Sequence, residues 1–163
     1  MAGDFTFNVA LGREVELYNR VNGNDPAASA LICVVLRQAG ISDDADLKDC
    51  DTLAAVLALG TTDEATNTGY SRKTLTDADL AVYTVDDVRD RIVLSLPLLT
   101  FATISAGAAW EKLLVCYDAD TAAGTDSDIV PITAHVLRMY GAAVVPNGSD
   151  VVIDLTNGFV QAQ

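Results

Sequence analysis

Four aspartates around a glycine form the stretch of this sequence best suited to hold a ligand. They lie on both sides of Gly124 and are Asp118, Asp120, Asp126 and Asp128. Proteins bind calcium ions through several carboxylate and carbonyl oxygens on a flexible loop, which this stretch can supply. Its spacing, however, differs from that of an EF-hand and lacks the terminal glutamate. The alternative is a solvent-facing turn in which the aspartates accept hydrogen bonds from nearby backbone amides, and we favour the turn.

Histidine and cysteine, the other side chains that commonly do chemistry, are scarce. His135 is the single histidine, so a nucleophile–histidine–acid site has to use it. It lies in a predicted β-strand with no G-x-S-x-G motif nearby, which favours a structural role. Cys33, Cys50 and Cys116 form no C-x-x-C pair. We therefore expect free buried thiols rather than zinc ligands or a redox pair.

Cofactor-binding motifs are also missing from the sequence. There is no G-x-x-x-x-G-K-[ST] phosphate loop, and no G-x-G-x-x-G follows a predicted strand. Many carboxylates are present, but their spacing selects no particular acid–base pair. We therefore predict no catalytic residues, no metal site, no bound cofactor and no enzymatic activity.

The elements before residue 60 are predicted to be helical. Leu11, Val15, Tyr18 and Val21 recur at spacings of three and four, which is typical of a helix that Asn8 can cap. A further helix is predicted to begin in residues 42–46. Its apolar face consists of Leu47, Cys50, Leu53, Ala54 and Leu57, and Gly60 ends it.

Between these two helices, the caps predict a central helix. An acidic residue followed by proline at Asp25-Pro26 is a helix start, and Gly40 is a helix end with Arg37 in the last turn. Residues 31–36 are apolar on all sides, so a buried strand is the competing interpretation. The caps and the length favour the helix. We expect the apolar residues of this segment and of the next helix to be buried: Leu31, Ile32, Val34, Val35, Leu53 and Leu57.

After Tyr70 the pattern changes to extended chain rich in β-branched residues. Strands are predicted within residues 92–96, 100–104, 113–117, 129–139 and 151–155. Asn147-Gly148, between two pairs of valines, predicts a hairpin turn. The predicted fold is α+β, with N-terminal helices followed by an antiparallel β-sandwich or small β-barrel-like region. We expect one structural domain over residues 1–163, mainly helical in 1–60 and mainly β in 70–163.

The composition restricts the class of partner. The chain has 163 residues, a formal net charge of −13 and 50% hydrophobic residues, enough for a sizeable core. A surface this acidic repels nucleic acid and anionic membranes, so we expect neither as a partner. The N-terminus lacks the pattern of a signal peptide, and no apolar run approaches the length of a membrane span.

Three strings of residues connect the chain with a known group of proteins. Residues 110–131 read W-E-K-L-L-V-C-Y-D-A-D-T-A-A-G-T-D-S-D-I-V-P, residues 64–80 read E-A-T-N-T-G-Y-S-R-K-T-L-T-D-A-D-L, and residues 8–13 read N-V-A-L-G-R. Over most of its length the chain thereby resembles small virion structural proteins of tailed bacteriophages. The resemblance implies a protein without catalytic activity that lies on or in the virus particle.

Within that group, the resemblance points to capsid decoration (cement) proteins, which bind across capsomer junctions and strengthen the shell. It implies the major capsid protein as partner, a location on the capsid exterior, and assembly in the host cytoplasm. The alternative is a head fibre, a tail component or a receptor- or carbohydrate-binding virion component. We also expect a homo-oligomer, with a trimer as the first assumption. Either residues 5–7 or the apolar segment 138–145 is expected at a subunit contact.

Overall fold

The computed structural model describes residues 3–162, and a five-stranded antiparallel sheet lies at its centre. The strands of this sheet are β1 (Phe5–Thr6), β2 (Ala30–Arg37), β3 (Lys73–Leu75), β7 (Trp110–Asp118) and β8 (Val130–Val136). They lie side by side in the order β1, β8, β7, β2, β3, and every pairing is antiparallel. The mixed α/β fold with antiparallel strands that the sequence predicts is therefore present.

Short helices and smaller sheets cover this central sheet. The α-helices are α1 (Glu14–Asn22), α2 (Asp44–Lys48) and α3 (Leu53–Ala58), and a 3-10 helix spans Asn8–Ala10. One further sheet joins β4 (Thr84–Asp86), β5 (Arg91–Leu94) and β12 (Val160–Ala162). Two ribbons join β6 (Leu99–Phe101) with β11 (Val151–Ile153), and β9 (Arg138–Met139) with β10 (Ala142–Ala143).

Strand β2 divides the core because alternate residues of a strand point to opposite faces of a sheet. Leu31 and Val35 belong to a cluster with residues of α1 and the smaller sheets. Ile32 and Val34 belong to a second cluster with residues of α2 and α3. The central sheet is thus covered by apolar side chains on both faces, and the sheets that the structure describes are open rather than closed into a barrel.

The predicted helix between Pro26 and Gly40 is wrong, because this segment contains the central strand β2. The Pro26 carbonyl accepts a hydrogen bond from the Ser29 amide and forms a turn that precedes the strand. A strand covered on both faces is apolar at successive positions, which gives the same pattern as a buried helix. The part predicted to be mainly helical, residues 1–60, therefore supplies β1 and β2 to the sheet.

The two remaining helix predictions are confirmed in place but not in extent. Helix α1 begins at Glu14 rather than after Asn8, because Gly12 has a φ of 76° and interrupts the chain before it. The Asn8 side chain donates a hydrogen bond to Asp49 instead of capping α1. The helix predicted from residues 42–46 is two helices, and the Thr52 hydroxyl caps the second by accepting a hydrogen bond from the Ala55 amide at 3.1 Å.

The hairpin predicted at Asn147-Gly148 is also wrong. The Gly148 amide donates to the Ile104 carbonyl, and β11 then pairs with β6 rather than with the residues before the turn. The hairpin of this region lies at Tyr140-Gly141, between β9 and β10. These two residues have φ values of 52° and 85°, as a type I′ turn requires.

The burial prediction holds for five of its six residues. Leu31, Ile32, Val34, Val35 and Leu53 are buried, whereas Leu57 is partly exposed. Among the residues described, no helix has the length and apolar character needed to cross a membrane.

Candidate functional site

The fold places an acid, the histidine and a hydroxyl in a row near one edge of the central sheet. Thr133 and His135 are alternate residues of β8 and so lie on the same face. Strand β1 pairs with β8, and the Asp4 carboxylate just before it accepts a hydrogen bond from the Val136 amide at 2.8 Å. His135 Nε2 lies 2.9 Å from Thr133 Oγ1, and its Nδ1 lies 3.5 Å from Asp4 Oδ2.

This row has the order of groups found in hydrolases, but its hydroxyl is not available to a substrate. A nucleophile has to contact the substrate, and Thr133 is only 2% exposed. Burial lowers the pKa of His135, the neighbouring Asp4 opposes that shift, and Lys112 adds to it. The imidazole is therefore neutral at pH 7. In this form it links Thr133 to the N-terminal strand, so we retain the structural interpretation of His135.

Two of the three residues in this row could be recognised as neighbours from the sequence. Two polar residues two positions apart in a strand point to one face, so Thr133 and His135 were recognisable as neighbours. Asp4 carried no such signal, because only the pairing of β1 with β8 brings it there. A cavity of about 390 Å³ lies beside the row, and Glu14 and Phe159 are among its lining residues.

Three of the four loop aspartates bind nearby backbone amides. Asp118 accepts from the Asp120 amide at 3.0 Å, and Asp120 accepts from the Ala122 amide at 3.0 Å. Asp128 accepts from the Thr125 amide and hydroxyl, both at 2.9 Å, and these bonds lower its pKa. This is the turn arrangement that we favoured over a calcium loop. Within residues 3–162, no group of three or more His, Cys, Asp or Glu is arranged to hold a metal ion.

The fourth aspartate, Asp126, belongs to an ion-pair network centred on Arg72. The Arg72 guanidinium binds both oxygens of Asp126, at 2.5 and 2.9 Å, and both oxygens of Glu64, at 2.7 to 3.1 Å. Glu64 also accepts from the Tyr70 hydroxyl at 2.8 Å, and that hydroxyl accepts from the Val35 amide of β2. The network therefore ties the 118–128 loop to the central sheet, and it was not recognised from the sequence.

A buried lysine holds the N-terminal strand from the face of the central sheet opposite His135. Lys112 is 1% exposed, and its Nζ lies 3.1 Å from Asp44 Oδ1 and 3.0 Å from the Gly3 carbonyl. The same ammonium group lies 5.0 Å from the centre of the Phe5 ring. Phe7 is fully buried. Residues 5–7, one of the two candidates for a subunit contact, therefore pack within their own chain.

The other candidate, residues 138–145, borders an open cavity. We call this cavity the hairpin groove. It measures about 620 Å³ and is lined by the β9–β10 hairpin, by β11 and by the residues that flank them. Four apolar side chains in its lining are more than half exposed, and these are Met139, Tyr140, Val145 and Val152. Exposed apolar side chains grouped in this way are typical of protein contact surfaces.

The hairpin groove presents strand edges as well as side chains. Residues 149–154 line it consecutively, so β11 offers its edge to the groove rather than a single face. Its one partner in the described structure is β6.

No match was found when the chain was compared with protein families, with curated proteins and with solved structures.

Proposed function

We propose that this chain is a non-enzymatic structural protein of a bacteriophage virion. In this proposal it is a decoration (cement) protein that binds the major capsid protein on the outside of the capsid and stabilises the shell. The observation that carries the proposal is the hairpin groove, whose apolar side chains are exposed to solvent. The proposal that the partner is a phage particle rests on the resemblance of the sequence to phage virion proteins.

The arrangement of the two candidate contact segments supports this use of the groove. Residues 5–7 are committed to the chain's own sheet, through Phe7 in the core and Phe5 beneath Lys112. Met139 and Tyr140, in contrast, have no comparable cover. Covering such side chains with a partner releases about 25 cal/mol per Å² of apolar surface, before the costs of association.

A cement protein also needs a stable body. The smaller sheets supply Leu94, Phe101, Ile153 and Val160 to the same core cluster as Leu31 of the central sheet. We propose that these layers act as a sandwich-like body, which holds the groove rigid while the shell expands or is heated.

The test is to add the purified protein to capsids that lack it and to measure both occupancy and resistance of the shell to heat. Specific, saturable binding that raises the temperature of shell disruption is the expected result. A matched pair of variants assigns the surface: Met139→Ser in the hairpin groove, and Leu11→Ser at an exposed leucine outside its lining. The first variant should lower occupancy and the second should not.

We further propose that the protein is a homo-oligomer, with a trimer as the working assumption. A second set of exposed apolar side chains lies outside the groove lining, at Val82, Val85 and Val88. Val85 lies in the edge strand β4, and Val82 and Val88 lie on either side of that strand. An edge strand offers unpaired backbone groups to a neighbour. Light scattering across a range of concentrations gives the number of chains, and Val85→Thr should shift the equilibrium toward the monomer.

The second candidate is a head-fibre, tail or receptor- or carbohydrate-binding component of the virion. It is favoured by Tyr140, which is fully exposed at the hairpin tip, as a ring that stacks on a sugar has to be. The same groove is lined by the polar residues Asn147 and Asp150. Failure to bind shells, combined with binding to tails or to a host glycan that Tyr140→Ala abolishes, would favour this candidate over decoration.

A further inference from the structure

The charged residues of this protein are distributed so unevenly that they restrict the chemistry of its partner. All ten lysines and arginines lie within the described residues, and each is engaged inside the chain. Eight form ion pairs with carboxylates, and these are Arg13, Arg20, Arg37, Arg72, Arg89, Arg91, Lys112 and Arg138. The other two, Lys48 and Lys73, lie 5.2 and 5.1 Å from the centres of the Phe5 and Phe101 rings.

The hairpin groove shows the same imbalance locally. Its one basic residue, Arg138, is neutralised by Glu111 at 2.7 Å. Its two acidic residues, Asp150 and Asp154, accept hydrogen bonds only from uncharged groups, namely the Thr103 amide and the amide and hydroxyl of Thr156. Two uncompensated negative charges therefore line an otherwise apolar groove. A group that binds there gains by carrying positive charge.

The backbone of the groove restricts the shape of the partner. Because β11 lines the groove with consecutive residues and pairs only with β6 in the described structure, one of its edges is unpaired. An unpaired edge accepts an extended segment as an additional strand through main-chain hydrogen bonds. Such a segment places alternate side chains against Val152 and Met139, which favours aliphatic residues at those positions.

We infer that the hairpin groove binds an extended, aliphatic segment of another protein that carries lysine or arginine at its ends, as a strand added to β11. A second copy of this chain is not the occupant, because it brings a net charge of −13 and its lysines and arginines are already engaged. The segment belongs instead to a basic partner, which on the proposed function is the major capsid protein. The inference rests on that function only for the identity of the partner.

The experiment uses the full chain and synthetic peptides. The probe is a peptide of alternating valine and threonine with two lysines at each end, and binding is measured by isothermal titration calorimetry. The first control peptide has glutamates in place of the lysines. The second keeps the lysines but has alternate backbone amides N-methylated, which prevents strand addition and leaves the side chains unchanged. Only the lysine peptide with free amides is expected to bind, with the ¹⁵N–¹H signals of residues 149–154 shifting in NMR spectra.

Variants of the protein test the two halves of the inference separately. Asp150→Asn with Asp154→Asn removes both charges but keeps the accepting Oδ1 atoms, and should weaken peptide binding about two- to tenfold at low salt. Met139→Ser with Val152→Thr should weaken it about tenfold by removing apolar contact. Leu11→Ser, an exposed site outside the groove lining, is the control and should leave binding unchanged.

Equal binding of the lysine and glutamate peptides, or of the free and N-methylated peptides, would overturn the inference. So would binding of the lysine peptide that is unaffected by every groove variant. The outcome for the proposed function is separate. Shell binding without peptide binding, unchanged in the groove variants, rejects the inference and leaves decoration standing. Peptide binding without shell binding supports the inference and rejects the capsid as the partner.

Discussion

His135 is the residue whose titration is most easily isolated in this protein. It is the single histidine, and the carboxylates with shifted pKa values, Asp44, Asp86, Asp126, Asp128, Asp154 and Glu16, all shift downward. The groups that face its ring are Asp4, Thr133 and Phe159, and Lys112 acts on it electrostatically from the other face of the sheet. Histidine is the side chain whose ordinary pKa lies in the mildly acidic range, and none of these shifts moves a carboxylate toward it.

We predict that the protein loses stability as the pH falls below the ordinary histidine value. Burial, opposed by Asp4, lowers the pKa of His135 from 6.5 in the folded protein, so the unfolded chain binds the proton more tightly. The contribution of the neutral imidazole is complete above pH 6.5 and is lost as the pH falls toward and through the lower folded value. The free energy of unfolding, measured with urea between about pH 7 and pH 5, should decrease. In His135→Gln the decrease should be much smaller, and an equal slope in both proteins would contradict the prediction.

Arg72 should contribute more to stability than a surface arginine. Its guanidinium binds two carboxylates, its side chain is 29% exposed, and Asp126 and then Glu64 raise its pKa. Arg72→Met leaves both carboxylates partly buried without their cation and should cost on the order of 1–3 kcal/mol of unfolding free energy. The matched control is Arg13→Met, whose exposed pair with Glu16 should contribute little because solvent screens it. Similar losses in urea unfolding for the two variants would contradict this ranking.

Residue types alone revealed only the local part of the candidate sites. The loop aspartates bind backbone amides within a few positions, and that behaviour follows from the side chain itself. The partners of Arg72 and His135 lie on other elements, and strand pairing determines which residues meet. The carboxylates of this chain are numerous, so sequence reasoning had no means of choosing Asp4 or Asp126 among them.

At the scale of elements, β2 shows why one segment was misassigned. Its apolar run was recognised, but the choice between helix and strand rested on the local caps at Asp25-Pro26 and Gly40. In the structure, pairing with β7 along the whole strand and with β3 along part of it outweighs those caps. The β-branched side chains of Ile32, Val34 and Val35 agree with that outcome. Where an apolar run is covered on both faces, tertiary packing determines the element and local signals do not.

Helix α3 was predicted correctly as an apolar element, and its burial can be tested directly. Leu53 is fully buried against the central sheet. Leu53→Ala should therefore cost about 2–5 kcal/mol of unfolding free energy, through lost apolar contact and the cavity that remains. Leu98→Ala is the control, because Leu98 is 54% exposed and should change stability by less than about 0.5 kcal/mol. A loss below about 0.5 kcal/mol for Leu53→Ala would show that this face is not packed.

At one position of the β9–β10 hairpin, a substitution distinguishes an effect on folding from an effect on binding. Tyr140 has a φ of 52° and is fully exposed, a backbone conformation that favours asparagine or glycine over tyrosine. Tyr140→Asn should leave the thermal midpoint unchanged or raise it slightly, while it weakens binding to the shell. Lower stability combined with unchanged shell binding would show that the tyrosine serves the fold rather than a partner.

At the scale of the whole molecule, the excess of carboxylates affects stability as well as recognition. The net charge is −13, and the exposed ion pairs of Arg13, Arg20 and Arg89 each stabilise the fold only weakly. Added salt therefore screens more repulsion than attraction. Repulsion among like charges destabilises a compact state and is reduced as the Debye length shortens. The composition predicted this acidic character, but the complete engagement of lysine and arginine emerged only from the structure.

We therefore predict that the thermal midpoint rises when sodium chloride is increased from about 0.05 M to about 0.5 M. The gain in unfolding free energy should reach a few tenths to about 1 kcal/mol, because screening acts on many weak repulsions. A variant with Asp51→Asn, Asp77→Asn and Asp87→Asn tests the cause. These carboxylates are exposed and bind no other side chain in the described structure, so their removal should raise the midpoint at low salt and flatten its dependence on salt. A wild-type midpoint that falls with salt would show that the internal ion pairs outweigh the repulsion.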